Sequence, residues 1–146
     1  MSGDTVLFMP GDEVPVDIQD QGNGLPSRND VVEVTGEGTQ FTEVGTVNSE
    51  GDEGIGIVTD VASDEDGNAI AGPGTILLSK PVAMVNEDTG GATAAGDEVQ
   101  ETAGGGVIGF DGATTQTSTP LGQVFAANAG KYGFGKGNKV AVALYR

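Results

Sequence analysis

The feature that most constrains the fold of this chain is a regular alternation between short apolar runs and glycine-rich turns. The runs are rich in valine and isoleucine, and they recur about every ten residues. Between them lie GEG, EGDEG, DEDGN, GPG, DTGG and GGG, which favour tight turns. The pattern predicts an all-β fold, a small β-barrel or β-clip-like domain of many short strands. The runs cover residues 31–35, 41–47, 55–61, 76–79, 82–85, 98–102, 107–110, 121–127 and 140–145.

The length of 146 residues suits one domain with a single hydrophobic core. Residues 28–146 are predicted to form that all-β domain, and residues 1–27 a flexible N-terminal arm with an acidic, glycine-rich loop. The sequence TVLFMP at residues 5–10 is apolar and has no obvious hairpin partner. Two interpretations stay open for it: a first strand of the barrel, or an arm that pairs with a neighbouring subunit.

Two stretches of the chain are alike and suggest an internal repeat. NDVVEVT at residues 29–35 lines up with GDEVQET at residues 96–102, and glycines follow both. Further on, IGIV lines up with LGQV, and PVAMV closes the first stretch as KVAVALY closes the second. The alignment predicts half-repeats over residues 28–85 and 95–146. The alternative is a chance likeness between strands in a chain with 26 glycines.

The charge of the chain excludes several classes of partner. There are 22 acidic and six basic residues, for a formal net charge of −16. Binding to nucleic acid or to an anionic membrane needs lysine and arginine, so neither partner is expected. Such a charge repels itself in dilute salt, whereas in molar salt the Debye length falls to about 3 Å and the repulsion is screened. Scarce lysine and abundant Asp and Glu resemble proteins of halophilic archaea.

Catalytic chemistry has few candidates in this sequence. Histidine and cysteine are both absent, which removes the commonest general base, the thiol nucleophile and most transition-metal ligands. Carboxylates occur in pairs, but in glycine-flanked turns rather than in the opposed arrangement of a glycosidase. No glycine-rich stretch has the spacing of a phosphate-binding loop. We expect no enzyme, and no catalytic residue, metal or cofactor.

The start of the chain, MSGDTVLFMPGDEVP, has no basic region and only a short apolar run. It matches neither a signal peptide nor a membrane-spanning segment. We therefore expect synthesis in the cytoplasm.

The end of the chain carries the one positive stretch. Four of the six basic residues lie within residues 131–146, where there is no Asp or Glu. Lysines with aromatic residues among them would meet an acidic partner through contact ion pairs and aromatic anchors. We predict an interface with a partner or a neighbouring subunit at both ends of the chain. Its candidate residues are Val6, Leu7, Phe8, Met9, Lys131, Tyr132, Phe134, Lys136 and Lys139.

Three motifs resemble the small capsid decoration, or cement, proteins of tailed viruses. They are AGDEV at residues 95–99, PLGQV at residues 120–124 and VAVAL at residues 140–144, with IGIV and PVAMV as their counterparts in the first half. The resemblance covers residues 28–146. It implies a non-enzymatic homotrimer that binds the major capsid protein on the outside of the virion. With the halophilic composition, it implies a tailed virus of haloarchaea.

Two other functions stay open. One is another structural part of the same virion, namely a turret, a head fibre or a tail component. The other is a soluble haloarchaeal β-barrel that binds a ligand. A trimeric β-fold nucleotide pyrophosphatase is disfavoured, because no basic phosphate site accompanies its carboxylates.

Overall fold

A computed structural model describes residues 6–22, 24–47, 54–87, 93–101, 107–109, 120–127, 132 and 139–145. In these residues the fold is all-β, as predicted, and no helix there is long and apolar enough to cross a membrane. The strands are β1 (Val6–Phe8), β2 (Glu13–Ile18), β3 (Val31–Glu37), β4 (Thr42–Thr46), β5 (Gly56–Asp60), β6 (Gly72–Leu78), β7 (Val82–Asn86), β8 (Glu98–Glu101), β9 (Val107–Gly109), β10 (Gly122–Ala126) and β11 (Lys139–Leu144).

Strands β2 to β6, which we call the first unit, form a closed barrel in the order β2-β4-β3-β5-β6. Strands β2 and β4 are parallel, and all other neighbours are antiparallel. Apolar residues alternate along the strands, so that one face of each strand is buried. Aliphatic side chains fill the interior, namely Val14, Val16, Ile18, Val32, Val34, Val44, Val58, Ile76 and Leu78.

Strands β7 to β11, which we call the second unit, belong to a six-stranded sheet in the order β1-β7-β11-β10-β8-β9. A parallel bridge between Glu87 and Val107 joins the end of β7 to β9, so that this sheet also curls back on itself. Valines form a smaller core in this unit, namely Val99, Val107, Val124, Val140 and Val142.

The two units share one strand order and one register. Val32 faces Gly56 across the β3–β5 pair, and Val99 faces Gly122 across the β8–β10 pair. The bulges in the β5–β6 and β10–β11 pairs fall at corresponding positions as well. Even the bridge that curls the second unit corresponds to the parallel β2–β4 pair that closes the first. Strands β2 to β6 are therefore equivalent, in order, to strands β7 to β11.

The turns that precede β3 and β8 are built alike. The third residue of each has a positive φ, 74° at Asn29 and 96° at Gly96, as a type II turn requires. The carboxylates of Asp30 and Asp97 accept a hydrogen bond from the first amide of their turn, at 2.8 and 2.9 Å. Asn and Gly tolerate this backbone conformation better than other residues, which explains why the two sequences coincide here.

The glycine of IGIV and that of LGQV have the same steric role. A Cβ atom on Gly56 would lie 2.8 Å from the carbonyl oxygen of Leu77. A Cβ atom on Gly122 would collide with the carbonyl oxygen of Ala143, the equivalent atom of the second unit. The neighbouring strand approaches so closely that only glycine fits at either position.

The structure corrects the predicted repeat and the predicted arm. The sequence alignment pairs PVAMV with the last strand of the chain. In the structure PVAMV forms β7, which pairs with β11 as β2 pairs with β6. The segment is therefore equivalent to β2, and the strand equivalent to β11 is β6. Residues 13–18, predicted as part of an arm and loop, form a barrel strand paired with β4 and β6, since their alternating apolar residues complete the core. The repeat therefore begins before residue 28.

Candidate functional site

Four aromatic rings meet where the second unit packs against the first. Phe125, fully buried on β10, lies 5.2 Å from Tyr132 and 6.1 Å from Phe8, measured between ring centroids. Tyr132 in turn lies 5.7 Å from both Phe8 and Phe41. Phe41 precedes β4 of the barrel, whereas Phe125 belongs to the second unit. This aromatic junction therefore holds the two units together, with β1 contributing Phe8.

The hydroxyl of Tyr132 links two strands of the barrel. It accepts a hydrogen bond from the Thr42 amide at 3.0 Å and donates one to the Pro15 carbonyl at 2.6 Å. These groups belong to β4 and β2, whose direct pairing is confined to the far end of β2. Burial raises the pKa of Tyr132 to about 12. The hydroxyl therefore stays protonated at ordinary pH and keeps both bonds.

The side-chain amide of Gln123 on β10 joins the two units by a hydrogen bond, as the aromatic junction joins them by packing. Its Oε1 accepts a hydrogen bond from the Val34 amide on β3 at 3.0 Å, and its Nε2 donates to the Gly96 carbonyl at 3.1 Å. Nearby, the Thr42 hydroxyl donates to the Phe125 carbonyl at 2.6 Å. The outer face of β10 is thus fixed to strands β3 and β4 by both packing and hydrogen bonds.

A buried carboxylate organises the turn between β3 and β4. Asp17 is only 4% exposed, and its Oδ2 accepts hydrogen bonds from the Gln40 and Phe41 amides at 2.8 and 3.2 Å. Among the described residues, its Oδ1 has no hydrogen-bond partner. The bonds at Oδ2 hold Phe41 in place beside Tyr132, so this carboxylate supports the aromatic junction.

Three apolar side chains lie next to each other on the outer surface of the barrel. Val31 on β3 faces Ile57 on β5, and Ile57 faces Leu77 on β6. Their exposed fractions are 48%, 37% and 38%. Isolated exposed apolar residues are ordinary on protein surfaces, but a row across three adjacent strands forms a continuous patch. We call this patch the apolar row.

The same positions of the second unit are occupied differently. By strand equivalence, Glu98, Gln123 and Ala143 correspond to the apolar row, and Gln123 and Ala143 are 4% and 0% exposed. They are buried because the outer face of β10 and β11 packs on the first unit, whose core cluster includes Ala143. One outer face is therefore covered inside the molecule, and its equivalent is not covered by any described residue.

The predicted N-terminal interface is largely occupied within the molecule. Val6 to Phe8 form β1, which pairs with β7 rather than with a barrel strand. Leu7 and Phe8 pack against the main core cluster. Val6 and Met9 remain 43% and 55% exposed. Leu7 and Phe8 are partly buried, so Val6 and Met9 are the exposed members of the four.

The predicted C-terminal interface is described in part. Tyr132 lies in the aromatic junction, so the structure brings it together with Phe8 of the N-terminal group. Lys139 is exposed at the start of β11 and pairs with the last residue of β7, away from the β1 end of that strand. Lys131, Phe134 and Lys136 lie outside the described residues.

The residues of the apolar row are not among those predicted from the sequence, although the sequence contains a signal for them. A half-buried strand alternates apolar and polar residues, so two adjacent apolar residues place one of them outside. VV at 31–32, IV at 57–58 and ILL at 76–78 all break the alternation in this way. These breaks mark Val31, Ile57 and Leu77.

Among the described residues, no three acidic side chains come close enough together to hold a metal ion. Comparison with protein-family models, with curated proteins and with solved structures finds no match for this chain.

Proposed function

We propose that this chain is a structural protein of a virion, which binds the outside of a tailed-virus capsid and stabilises the shell. In this proposal it acts as a homotrimer, contacts the major capsid protein and works in the molar salt of a haloarchaeal host. The proposal rests on the motif resemblance and on the surfaces described above.

The observation that carries the proposal is the solid interior of the first unit. Aliphatic side chains from the described strands pack into one cluster inside the barrel, and Ile18, Ile76 and Val44 among them are fully buried. A barrel that holds a ligand keeps space between its strands, whereas one that is filled by side chains offers only its outer surface. A rigid body that acts through its surface suits a clamp between capsid subunits.

The surface charge supports the same role. With a net charge of −16, neighbouring copies on a lattice stay hydrated and soluble in molar salt. Contacts with the shell must then come from apolar residues and from the few basic ones. Lys139 is one such residue and is exposed at the start of β11.

Co-sedimentation in molar salt tests the proposal. Purified protein is mixed with capsids from which the native decoration has been removed, and bound protein is measured in the pellet. The variant Lys131→Gln, Lys136→Gln and Lys139→Gln should bind at least about tenfold more weakly than the unchanged chain, since it loses the contact ion pairs.

The control neutralises Arg28 and Lys80, the two basic residues outside residues 131–146. It should bind like the unchanged chain. Equal binding by the triple variant and this control would contradict the role of the lysine-bearing end. Failure of the unchanged chain to sediment with capsids would overturn the proposed function itself.

A further inference from the structure

We propose that Asp17 and Glu43 bind a calcium ion on the outer face of the barrel. The two residues are register partners across the parallel β2–β4 pair, where that pair closes the barrel. This ion site is independent of the capsid role, because all its protein ligands belong to one chain.

The pairing of β2 with β4 brings two like charges side by side. Val16, Ile18 and Val44 are buried inside the barrel. Successive residues of a strand point to opposite faces, so Asp17 and Glu43 both lie on the outer face. Neighbouring strands are only about 4.8 Å apart. Two carboxylates in this position repel each other unless a cation offsets their charge.

The carboxylate of Asp17 is only partly satisfied by the protein. Asp17 is 4% exposed, so its side chain is largely removed from water. Its Oδ2 accepts hydrogen bonds from the amides of Gln40 and Phe41, whereas its Oδ1 has no partner in the described part of the chain. A buried carboxylate oxygen without a partner costs free energy, and a bound cation offsets that cost.

The described residues supply no positive charge to this pair of carboxylates. Neither Asp17 nor Glu43 forms an ion pair with a described basic residue. Glu43 is held by neutral groups, since its Oε1 accepts hydrogen bonds from the Thr35 hydroxyl at 2.9 Å and from the Gln21 side-chain amide at 3.3 Å. Its Oε2 takes part in neither bond. A cation from solvent would therefore balance both carboxylates.

A backbone oxygen also borders Asp17. A Cβ atom on Gly38 would collide with Oδ2 of Asp17 and with the carbonyl oxygen of Phe41, so these two oxygens lie close together beside a residue without a side chain. Calcium binds about six to eight oxygens of carboxylates, carbonyls and water in a flexible geometry, whereas magnesium needs a nearly ideal octahedron. Carboxylates on two strands with a nearby carbonyl therefore suit calcium better than magnesium.

The ion would strengthen the turn that supports the aromatic junction. Asp17 bonds to the amide of Phe41, whose ring lies beside Tyr132. The unfolded chain does not hold the two carboxylates together, so calcium binds the folded state in preference. Calcium should therefore stabilise the folded protein, by an amount that grows with the logarithm of its concentration.

Isothermal titration calorimetry measures the site directly. The full chain, freed of metal with a chelator, is titrated with calcium chloride in molar salt, where the general attraction of cations to an acidic surface is screened. We expect saturable binding of one ion per chain, and Mg²⁺ should bind at least about tenfold more weakly. Absence of saturable Ca²⁺ binding, or equal binding of Mg²⁺, would overturn the assignment of calcium.

The variant Glu43→Gln tests the ligands. It should bind Ca²⁺ at least about tenfold more weakly, because it loses one of the two charges but keeps an oxygen that can accept the bonds from its neighbours. The matched control is Glu13→Gln, which removes an exposed carboxylate from the same strand and the same outer face as Asp17. It should bind like the unchanged chain. Equal binding by the two variants would indicate an adventitious ion only and would overturn the site.

Thermal unfolding of Asp17→Asn tests the buried carboxylate. Asparagine keeps the shape of the side chain and an acceptor for the Phe41 amide, but it has no charge. Ca²⁺ should raise the Tm of the unchanged chain and of Glu13→Gln, and leave that of Asp17→Asn unchanged. If Asp17→Asn does not fold, Glu43→Gln gives the same comparison. An equal rise in Tm for the unchanged chain and the variant would overturn the proposal.

Discussion

The two units of this chain share one register and differ in what their outer faces do. The second unit turns the outer face of β10 and β11 against its neighbour and fixes it with Phe125 and Gln123. The first unit presents the equivalent face to solvent, with Ile57 and Leu77 at its centre. The two units therefore share one backbone arrangement, and the side chains at outward positions decide whether a face is buried inside the molecule or exposed.

The cores of the two units differ in a related way. The first barrel contains Ile18, Ile76 and Leu78 among its fully packed residues, whereas the described core of the second unit is made of valines. The second unit has in addition the large ring of Phe125 on its outer face, packed in the main core cluster. It thus depends on contact with the first unit for part of its buried apolar area, so substitutions in the aromatic junction should have the largest effect on stability.

The largest effect is expected from Phe125→Ala. The ring is fully buried among Phe8 and Tyr132, so its removal should lower the free energy of unfolding by about 3–5 kcal/mol. Denaturant unfolding in molar salt measures it. The matched control is Thr59→Ala at the equivalent position of β5, where the loss of a hydrogen bond to Thr75 should cost about 0.5–1.5 kcal/mol. Similar losses for both variants would contradict the assigned role of the junction.

The next effect concerns the Tyr132 hydroxyl. Tyr132→Phe leaves the Thr42 amide and the Pro15 carbonyl without this partner, at an expected cost of about 1–3 kcal/mol in the free energy of unfolding. Tyr145→Phe is the control, because it also loses a hydroxyl, one that bonds to an exposed carboxylate at Glu98. The control should cost less, and an equal cost would argue against the link between β2 and β4.

The same residue predicts a pH dependence. The pKa of Tyr132 is about 12 in the folded protein and about 10 in the unfolded chain. The unfolded chain therefore loses this proton first, so the contribution of Tyr132 is fully present below about pH 10 and is lost as the pH rises towards about 12. All other titratable groups are shared with Tyr132→Phe, so the comparison of the two proteins isolates the contribution of Tyr132. The stability difference between the two proteins should shrink across it, and a constant difference would contradict the raised pKa.

The smallest effects come from exchanging the residues that distinguish the two faces. Gln123→Ile removes the partner of the Val34 amide and should lower the free energy of unfolding by about 1 kcal/mol. The reverse change, Ile57→Gln, lies on an exposed face and should alter stability by less than about 0.5 kcal/mol. Unfolding curves of both variants compare the two faces. A larger loss of stability for Ile57→Gln than for Gln123→Ile would contradict the assignment of the buried face to β10 and the exposed face to β5.

The fold class could be predicted from the sequence because alternation and turn chemistry are local signals. The turns at Asn29 and Gly96 were matched correctly, since a positive φ restricts which residues fit. The closing strands were matched wrongly, because alternating valines and alanines look alike in any strand, and only pairing shows that β6 is the counterpart of β11. Register between distant strands is a tertiary property.

The candidate site could be predicted only in part. Tyr132 and Phe8 were chosen as residues for a partner, but their rings are used inside the molecule. An aromatic residue in a short apolar segment has the same pattern whether it packs on its own chain or on another. The apolar row needed the structure, because its three residues are far apart in sequence and become a patch only when β3, β5 and β6 lie side by side.

The proposed structural role on a capsid is tested most directly by quantitative peptide mass spectrometry of tailed-virus particles purified from a culture that produces this chain. The account predicts about one copy for each major capsid protein, as for a component spread over the whole lattice. A ratio of a few per cent would indicate a vertex or tail component instead. Absence from the particles would contradict the proposed function and favour a ligand-binding protein of the host cell.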